Sequence, residues 1–104
     1  YRGQSLVMDV SPFCDCHGSS DVGIVPDVGM FASFDPVALD CACAEAVNRQ
    51  PIQLGSILDR DECRERTDVK DYFTRVHPVT DWRICLNHAA KLGLGSMEYD
   101  LTTI

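Results

Sequence analysis

The sequence predicts an α/β fold: a small sheet of about three to four strands packed with about three helices, as part of a larger α/β domain. Short segments rich in β-formers occupy residues 5–10 and 28–33. The dipeptide Asp35-Pro36, a strong helix-start signal, follows the second of them. Further along the chain, apolar residues recur at helical spacing in two more stretches.

The strands are predicted from local composition. Residues 5–10 are apolar enough for a strand, which Pro12 ends. Residues 28–33 lack a clean alternation, and we therefore expect burial on both faces, as in a parallel sheet. Residues 97–104 alternate loosely and predict a further strand at the end of the sequence.

The first helix is predicted to run from Pro36 to about Arg49, before Pro51. Its side chains are apolar nearly all round, so we expect it to be largely buried. Asp40 lies inside this apolar stretch. A buried carboxylate needs partners, so Asp40 is expected to be either a functional group or a hydrogen-bonded structural one.

Two shorter helices follow a charged segment, residues 59–71, which is interpreted as solvated surface. The apolar spacing i, i+3, i+4, i+7 identifies both helices. The first carries Val69, Tyr72, Phe73 and Val76. The second runs from about residue 81 to 92 and carries Trp82, Cys85, Leu86 and Ala89. Lys91 and Gly93 supply stop signals for the second of them.

The composition limits the classes of partner that we expect for this chain. The chain has 104 residues, 45% of them hydrophobic, which fits one domain over residues 1–104. Nine Lys+Arg against sixteen Asp+Glu give a net charge of −7, so we expect no nucleic acid and no membrane partner. The chain opens at Tyr1, and we expect it to be the C-terminal fragment of a longer protein. The partners expected are the rest of the parent chain and, through an exposed sheet edge, a second copy in a homo-oligomer.

Six cysteines are the unusual feature of this composition. The apolar content is enough to form a hydrophobic core without disulfide cross-links. Reduced thiols or metal ligands are therefore favoured over disulfides, together with a cytoplasmic location.

The densest group of candidate ligands is Cys14-Asp-Cys16-His17. In an extended segment, residues two apart point to one face, so Cys14 and Cys16 could reach one ion, joined by His17 or Asp21. Thiolate and imidazole ligands suit zinc or iron. The alternative is two buried thiols and a surface histidine in a strand-to-loop transition.

The other cysteines are weaker candidates. Cys41 and Cys43 lie on a helix, roughly 200° apart around its axis, so both are expected to fill core space rather than share an ion. Cys85 and His88 share one side of their helix and could form half a site, but core packing is favoured for Cys85. Cys63 is expected to be an exposed thiol. His77 is expected to mark a helix end.

Three stretches together resemble a known family. They are residues 14–21, CDCHGSSD, residues 24–29, IVPDVG, and residues 32–40, ASFDPVALD. They resemble the domain of unknown function 362 family, whose members are often labelled uncharacterised Fe–S centre proteins. Residues 90–101 are similar to the close of that domain. In the family pattern Cys14 and Cys16 are in place, whereas other residues stand at the positions of Cys41 and Cys43.

The resemblance implies a portion of an iron–sulfur or metal-binding, redox-associated protein, with a [4Fe–4S] cluster in the full-length protein and zinc or iron at Cys14 and Cys16. Two alternatives stay open. One is an enzyme domain with a small-molecule site near the turns between Pro26 and Asp40. There Asp27, Ser33 and Asp35 would converge with His17, and a helix N-terminus could hold an anion. The other is a structural or interaction module without chemistry of its own.

Overall fold

The computed structural model describes residues 2–13, 22–59 and 70–103. Within them the order is β1 (Gly3–Val7), β2 (Gly29–Ser33), α1 (Pro36–Asn48), a 3₁₀ turn (Ile57–Asp59), α2 (Tyr72–Val76) and α3 (Trp82–Lys91). This confirms the α/β class and the three helices.

The sheet differs from the predicted one. In the described ranges it has two strands rather than three or four, and they pair antiparallel, with Gly3 opposite Ser33 and Val7 opposite Gly29. The expectation of a parallel sheet was therefore wrong. Exposed and half-buried residues alternate along β2, and Met30 is 66% exposed. Met30 counts as a hydrophobic residue in the sequence. The sequence pattern therefore did not show that one face of this strand is exposed.

The strand predicted over residues 97–104 is not found in its described part, residues 97–103. This segment is held by isolated contacts. Ser96 N–H donates to a carboxylate oxygen of Asp35 at 2.9 Å, and the Tyr99 hydroxyl donates to Glu45. Single side-chain contacts of this kind hold a chain in place without the continuous backbone ladder that defines a strand.

Helix α1 begins as predicted. Asp35 is the N-cap, and its Oδ1 accepts hydrogen bonds from the N–H groups of Val37 (2.9 Å) and Ala38 (3.0 Å). Proline follows at the first helical position, where no N–H is missed. Most of the helix is buried, as expected. Asp40 is exposed, however, so the expected buried carboxylate is not there.

Helix α1 separates two apolar clusters. The first holds Val7, Ile24, Val25, Val47 and Leu58, with partly buried side chains around it. The second holds Val37, Cys41 and Leu86, with Trp82 and Tyr99 packed against them. Because both clusters draw on α1, this helix positions the sheet on one side and α3 on the other.

The carboxylate of Asp71 joins all three helices. Its Oδ1 accepts from Phe73 N–H, which caps α2, and from Asn48 Nδ2 at the end of α1. Its Oδ2 pairs with Arg83 Nη1 of α3 at 3.0 Å. Asn48 also accepts from Tyr72 N–H at 2.8 Å. The residue is 9% exposed, and these partners satisfy its charge.

The two short helices follow the predicted spacing. Tyr72, Phe73 and Val76 of α2 pack against the first cluster, whereas Val69 lies outside the described residues. Helix α3 begins after its N-cap Asp81 and stops before Gly93, whose φ of +77° suits glycine. Among the described residues, no helix has the length and apolarity needed to cross a bilayer.

Candidate functional site

The predicted metal ligands Cys14, Cys16 and His17, with Asp21, lie outside the described residues. The structure does describe the chain on both sides of them. Ile24 N–H donates to the Val10 carbonyl at 2.8 Å, and Ile24 is 2% exposed. A backbone hydrogen bond therefore joins the described residues on the two sides of the candidate ligands.

His77 holds the chain directly before Cys14. Its Nε2 lies 2.6 Å from the Pro12 carbonyl, and its ring meets Phe13 edge-on at 5.6 Å. A carbonyl oxygen can only accept, so Nε2 must carry the proton in this contact. The sequence predicted only a helix end at His77. His77 follows α2 as its C-cap, as predicted. It also makes this long-range contact, which no local sequence pattern predicts.

Cys41 and Cys43 diverge, as the helical geometry predicted. Cys41 is 1% exposed in the second cluster, whereas Cys43 packs partly buried against the first. Their role as core residues is confirmed, fully for Cys41 and in part for Cys43. In the ranges that the structure describes, no group of three or more metal-ligating side chains comes together.

The expectation that Cys85 is a core residue was wrong. Cys85 is an exposed free thiol, and its neighbour Leu86 is the buried residue of α3. The apolar stripe includes Trp82, Leu86 and Ala89, as predicted, and extends to Ala90 instead of Cys85. His88 is exposed beside Cys85, and the described chain adds no further ligand to this half site.

Cys41, Glu45 and Tyr99 form a polar contact beside the second cluster. The Cys41 thiol lies 3.5 Å from Glu45 Oε1, and the Tyr99 hydroxyl donates to the other oxygen, Oε2. Burial and the adjacent carboxylate raise the pKa of the Cys41 thiol to about 11. Burial also raises the pKa of Tyr99, and the hydrogen bond to Glu45 adds to that shift. Both groups are thus kept protonated, which suits a structural role.

Of the small-molecule site expected near the turns, His17 lies outside the described residues, and the described members Asp27, Ser33 and Asp35 do not converge. Asp27 accepts from Asp9 N–H close to the Val7–Gly29 end of the sheet. Ser33 lies at the opposite end of the five-residue ladder, roughly 13 Å away along the strand. Ser33 Oγ accepts from Asp35 N–H, and the Asp35 carboxylate itself takes the first N–H groups of α1. The N-terminus of α1 is therefore capped from within.

An apolar groove is the feature that sequence reasoning missed. It has a volume of about 360 Å³ and lies between the end of β1, one side of α1, and the starts of α2 and α3. Its lining consists of Leu6, Val7, Met8, Val10, Asp40, Cys43, Ala44, Val47, Phe73 and Trp82. These residues come from separated parts of the chain, so no local pattern could reveal them.

Two polar groups of α1 face this groove. The Asp40 carboxylate is exposed, and among the described residues it forms no ion pair. The pKa of the Cys43 thiol is raised above its ordinary value. Burial is the largest cause and the charge of Asp40 adds to it, whereas a hydrogen bond with Ser5 opposes the shift. The groove therefore presents an apolar floor, a neutral thiol and one carboxylate.

Comparison with known families supports the resemblance drawn from the sequence. Residues 4–45 match the model of the family described as Domain of unknown function (DUF362), so this part of the chain is similar to that family. The matched span contains all of β1 except Gly3, all of β2, the three candidate ligands and most of α1. Searches of curated proteins and of solved structures give no match.

Proposed function

We propose that this chain is a portion of a metal-binding, redox-associated protein in which Cys14, Cys16 and His17 hold zinc or iron. The observation that carries this proposal is the family match, because residues 4–45 span all three candidate ligands. Two thiolates and an imidazole are donors that both metals accept.

The fixed base of the segment supports the proposal. Pro12 is buried, its carbonyl is bound by His77, and the Val10–Ile24 hydrogen bond closes the segment behind it. A rigid base lowers the entropy lost when ligands gather around an ion. The chain's own contribution is thus to hold the two ends of a ligand-bearing segment together.

The donor set fits a single ion better than a cluster. A [4Fe–4S] cluster takes four thiolates. Of the four other cysteines, Cys63 lies outside the described residues, Cys41 and Cys43 belong to different apolar clusters, and Cys85 is exposed on α3. We therefore propose that any iron–sulfur cluster of the full-length protein draws its ligands from elsewhere in that protein.

The test is metal analysis with thiol titration on protein purified without oxygen. The wild type is compared with Cys14→Ala/Cys16→Ala and with the control Cys85→Ala, which removes an exposed thiol far from the proposed site. We expect a near-stoichiometric metal in the wild type and in the control, and little in the double variant. Equal metal content in all three proteins would remove the proposal.

A homo-oligomer through the sheet is a second proposal, which a specific observation favours. Leu6 and Met30 are directly opposed in the register and are 62% and 66% exposed. In the described chain, the two-stranded sheet leaves one edge of each strand without a strand partner. Such edges and an apolar outer face favour pairing with a second copy.

Sedimentation of the wild type, Met30→Lys and the control Val79→Lys tests this pairing. Val79 is fully exposed and lies after α2, away from the sheet. We expect a concentration-dependent dimer in the wild type and the control but a monomer in Met30→Lys. A monomeric wild type at high concentration would contradict the proposal.

A further inference from the structure

We infer that the apolar groove binds a small organic amine, meaning a molecule with an apolar body and one cationic head that pairs with Asp40. This inference does not depend on the metal site. None of the described residues that line the groove is a proposed metal ligand.

Size and lining point to a small molecule. A volume of about 360 Å³ falls in the range of known ligand sites, which are mostly apolar with a few placed polar groups. Val7, Ala44 and Val47 line it with aliphatic side chains, and Phe73 and Trp82 add aromatic ones. An apolar body would bury its surface against all of these side chains.

The charge that lines the groove determines which head group of a ligand it would favour. Among the described residues that line the groove, Asp40 is the one acidic or basic side chain, and it has no cationic partner in the described chain. Arg83 lies over the Trp82 ring at 4.3 Å, but its guanidinium is paired with Asp71. The net charge of −7 also disfavours anions. A cation at Asp40 would therefore form an ion pair that the described residues do not provide.

Trp82 provides the means of detection, because it is the one tryptophan of the chain and it lines the groove. Its buried indole N–H has no hydrogen-bond partner. A change in the polarity around the ring should therefore alter its fluorescence.

The test uses three probes that differ in the head group: 4-phenylbutylamine, 4-phenylbutanol and 4-phenylbutyrate, titrated at 0.15 M salt. Binding is followed by Trp82 fluorescence and by amide shifts in NMR spectra. We expect the amine to bind most tightly and the carboxylate most weakly. Asp40→Asn should weaken the amine by about two- to fivefold, the range of a partly exposed ion pair. The alcohol should be unaffected by that substitution.

Two control variants test whether binding depends on the charge of Asp40 and on the space in the groove. Asp100→Asn removes the same charge from an exposed residue that does not line the groove, and it should bind the amine as the wild type does. Ala44→Leu fills the groove and should abolish binding of all three probes while the far-UV circular dichroism stays unchanged. The inference is overturned if the amine and the carboxylate bind equally, or if Asp40→Asn matches Asp100→Asn. It is also overturned if amides at Val7 and Val47 do not shift with any probe.

Discussion

Asp35 and Ser96 are 61 residues apart in the sequence, yet Asp35 Oδ2 accepts a hydrogen bond from Ser96 N–H at 2.9 Å. The other oxygen of the same carboxylate caps α1. One side chain therefore starts the longest helix and holds the last described segment against it. Gly95 makes this approach feasible, because a Cβ there would lie 2.0 Å from Asp35 Oδ1.

Gly95→Ala should release the segment after α3. The added methyl group cannot coexist with the present position of Asp35, so either the cap or the Ser96 contact must be lost. We expect Tm to fall by roughly 4–8 °C, equivalent to about 1 kcal/mol in a domain of this size. Gly23→Ala is the matched control, since its Cβ would meet its neighbours at ordinary contact distances. An unchanged Tm and an unchanged exchange rate of the Ser96 amide would contradict the prediction.

Because of Asp35, the stability of the folded state should also depend on pH in the acidic range. Hydrogen bonds from Ala38, Ser96 and Val37 lower its pKa below 3.8, the ordinary value. The ionised carboxylate thus stabilises the folded state above that value. This contribution is lost as the pH falls through the lowered pKa.

Asp35→Asn keeps a capping side chain but removes the charge. We expect its Tm to lie below that of the wild type at pH 6 and to approach it at pH 2. Thermal unfolding measured from pH 2 to 7 would show this convergence. Asp100→Asn removes an exposed charge of the same sign and should not reproduce it. Parallel curves for Asp35→Asn and the wild type would refute this role of the charge.

The thiols should differ in reactivity. Cys41 is 1% exposed with a pKa of about 11, so roughly 0.1% of it is thiolate at pH 8. Cys85 is exposed. We expect Cys85 to be labelled by a maleimide before Cys43, and Cys41 only on unfolding. Mass spectrometry of digests from a time course gives the order, and early labelling of Cys41 would argue against its burial.

Asp71→Ala should be among the more costly substitutions outside the apolar core. It removes the α2 cap, the contact with Asn48 and the pair with Arg83 at once. We expect a loss of about 2–3 kcal/mol in the free energy of unfolding, measured with urea. Asp81→Ala removes an exposed cap of α3 and should cost about 1 kcal/mol. Equal losses in the two variants would show that Asp71 acts as a cap alone.

The features that local chemistry determines were predictable from the sequence. The start of α1 follows from Asp35-Pro36, and the end of α3 from Gly93, because caps and stop residues act within one turn. The divergence of Cys41 and Cys43 follows from the helix period alone. The family resemblance over residues 4–45 was likewise carried by contiguous motifs.

The features that depend on distant residues were not predictable. Strand direction is set by pairing across a long connection, and Met30 gives no sign that its face of the strand stays exposed. The predicted face of α3 was correct at Trp82, Leu86 and Ala89 but wrong at Cys85, because helical spacing alone does not show on which side of this stripe the burial ends. The Tyr99–Glu45 contact spans 54 residues and replaces the strand expected there.

The placement of Cys41 and Cys43 on opposite sides of α1 has a chemical consequence. Two residues apart on a helix, their Cα atoms are close enough for a disulfide, but their Cβ bonds diverge, and bridging them would require the helix to unwind. Under oxidising conditions the two sulfurs therefore cannot cross-link to each other in the folded chain. Any oxidative damage to α1 must proceed at one sulfur at a time, through adducts or sulfenic acid, and the buried sulfur should be spared longest.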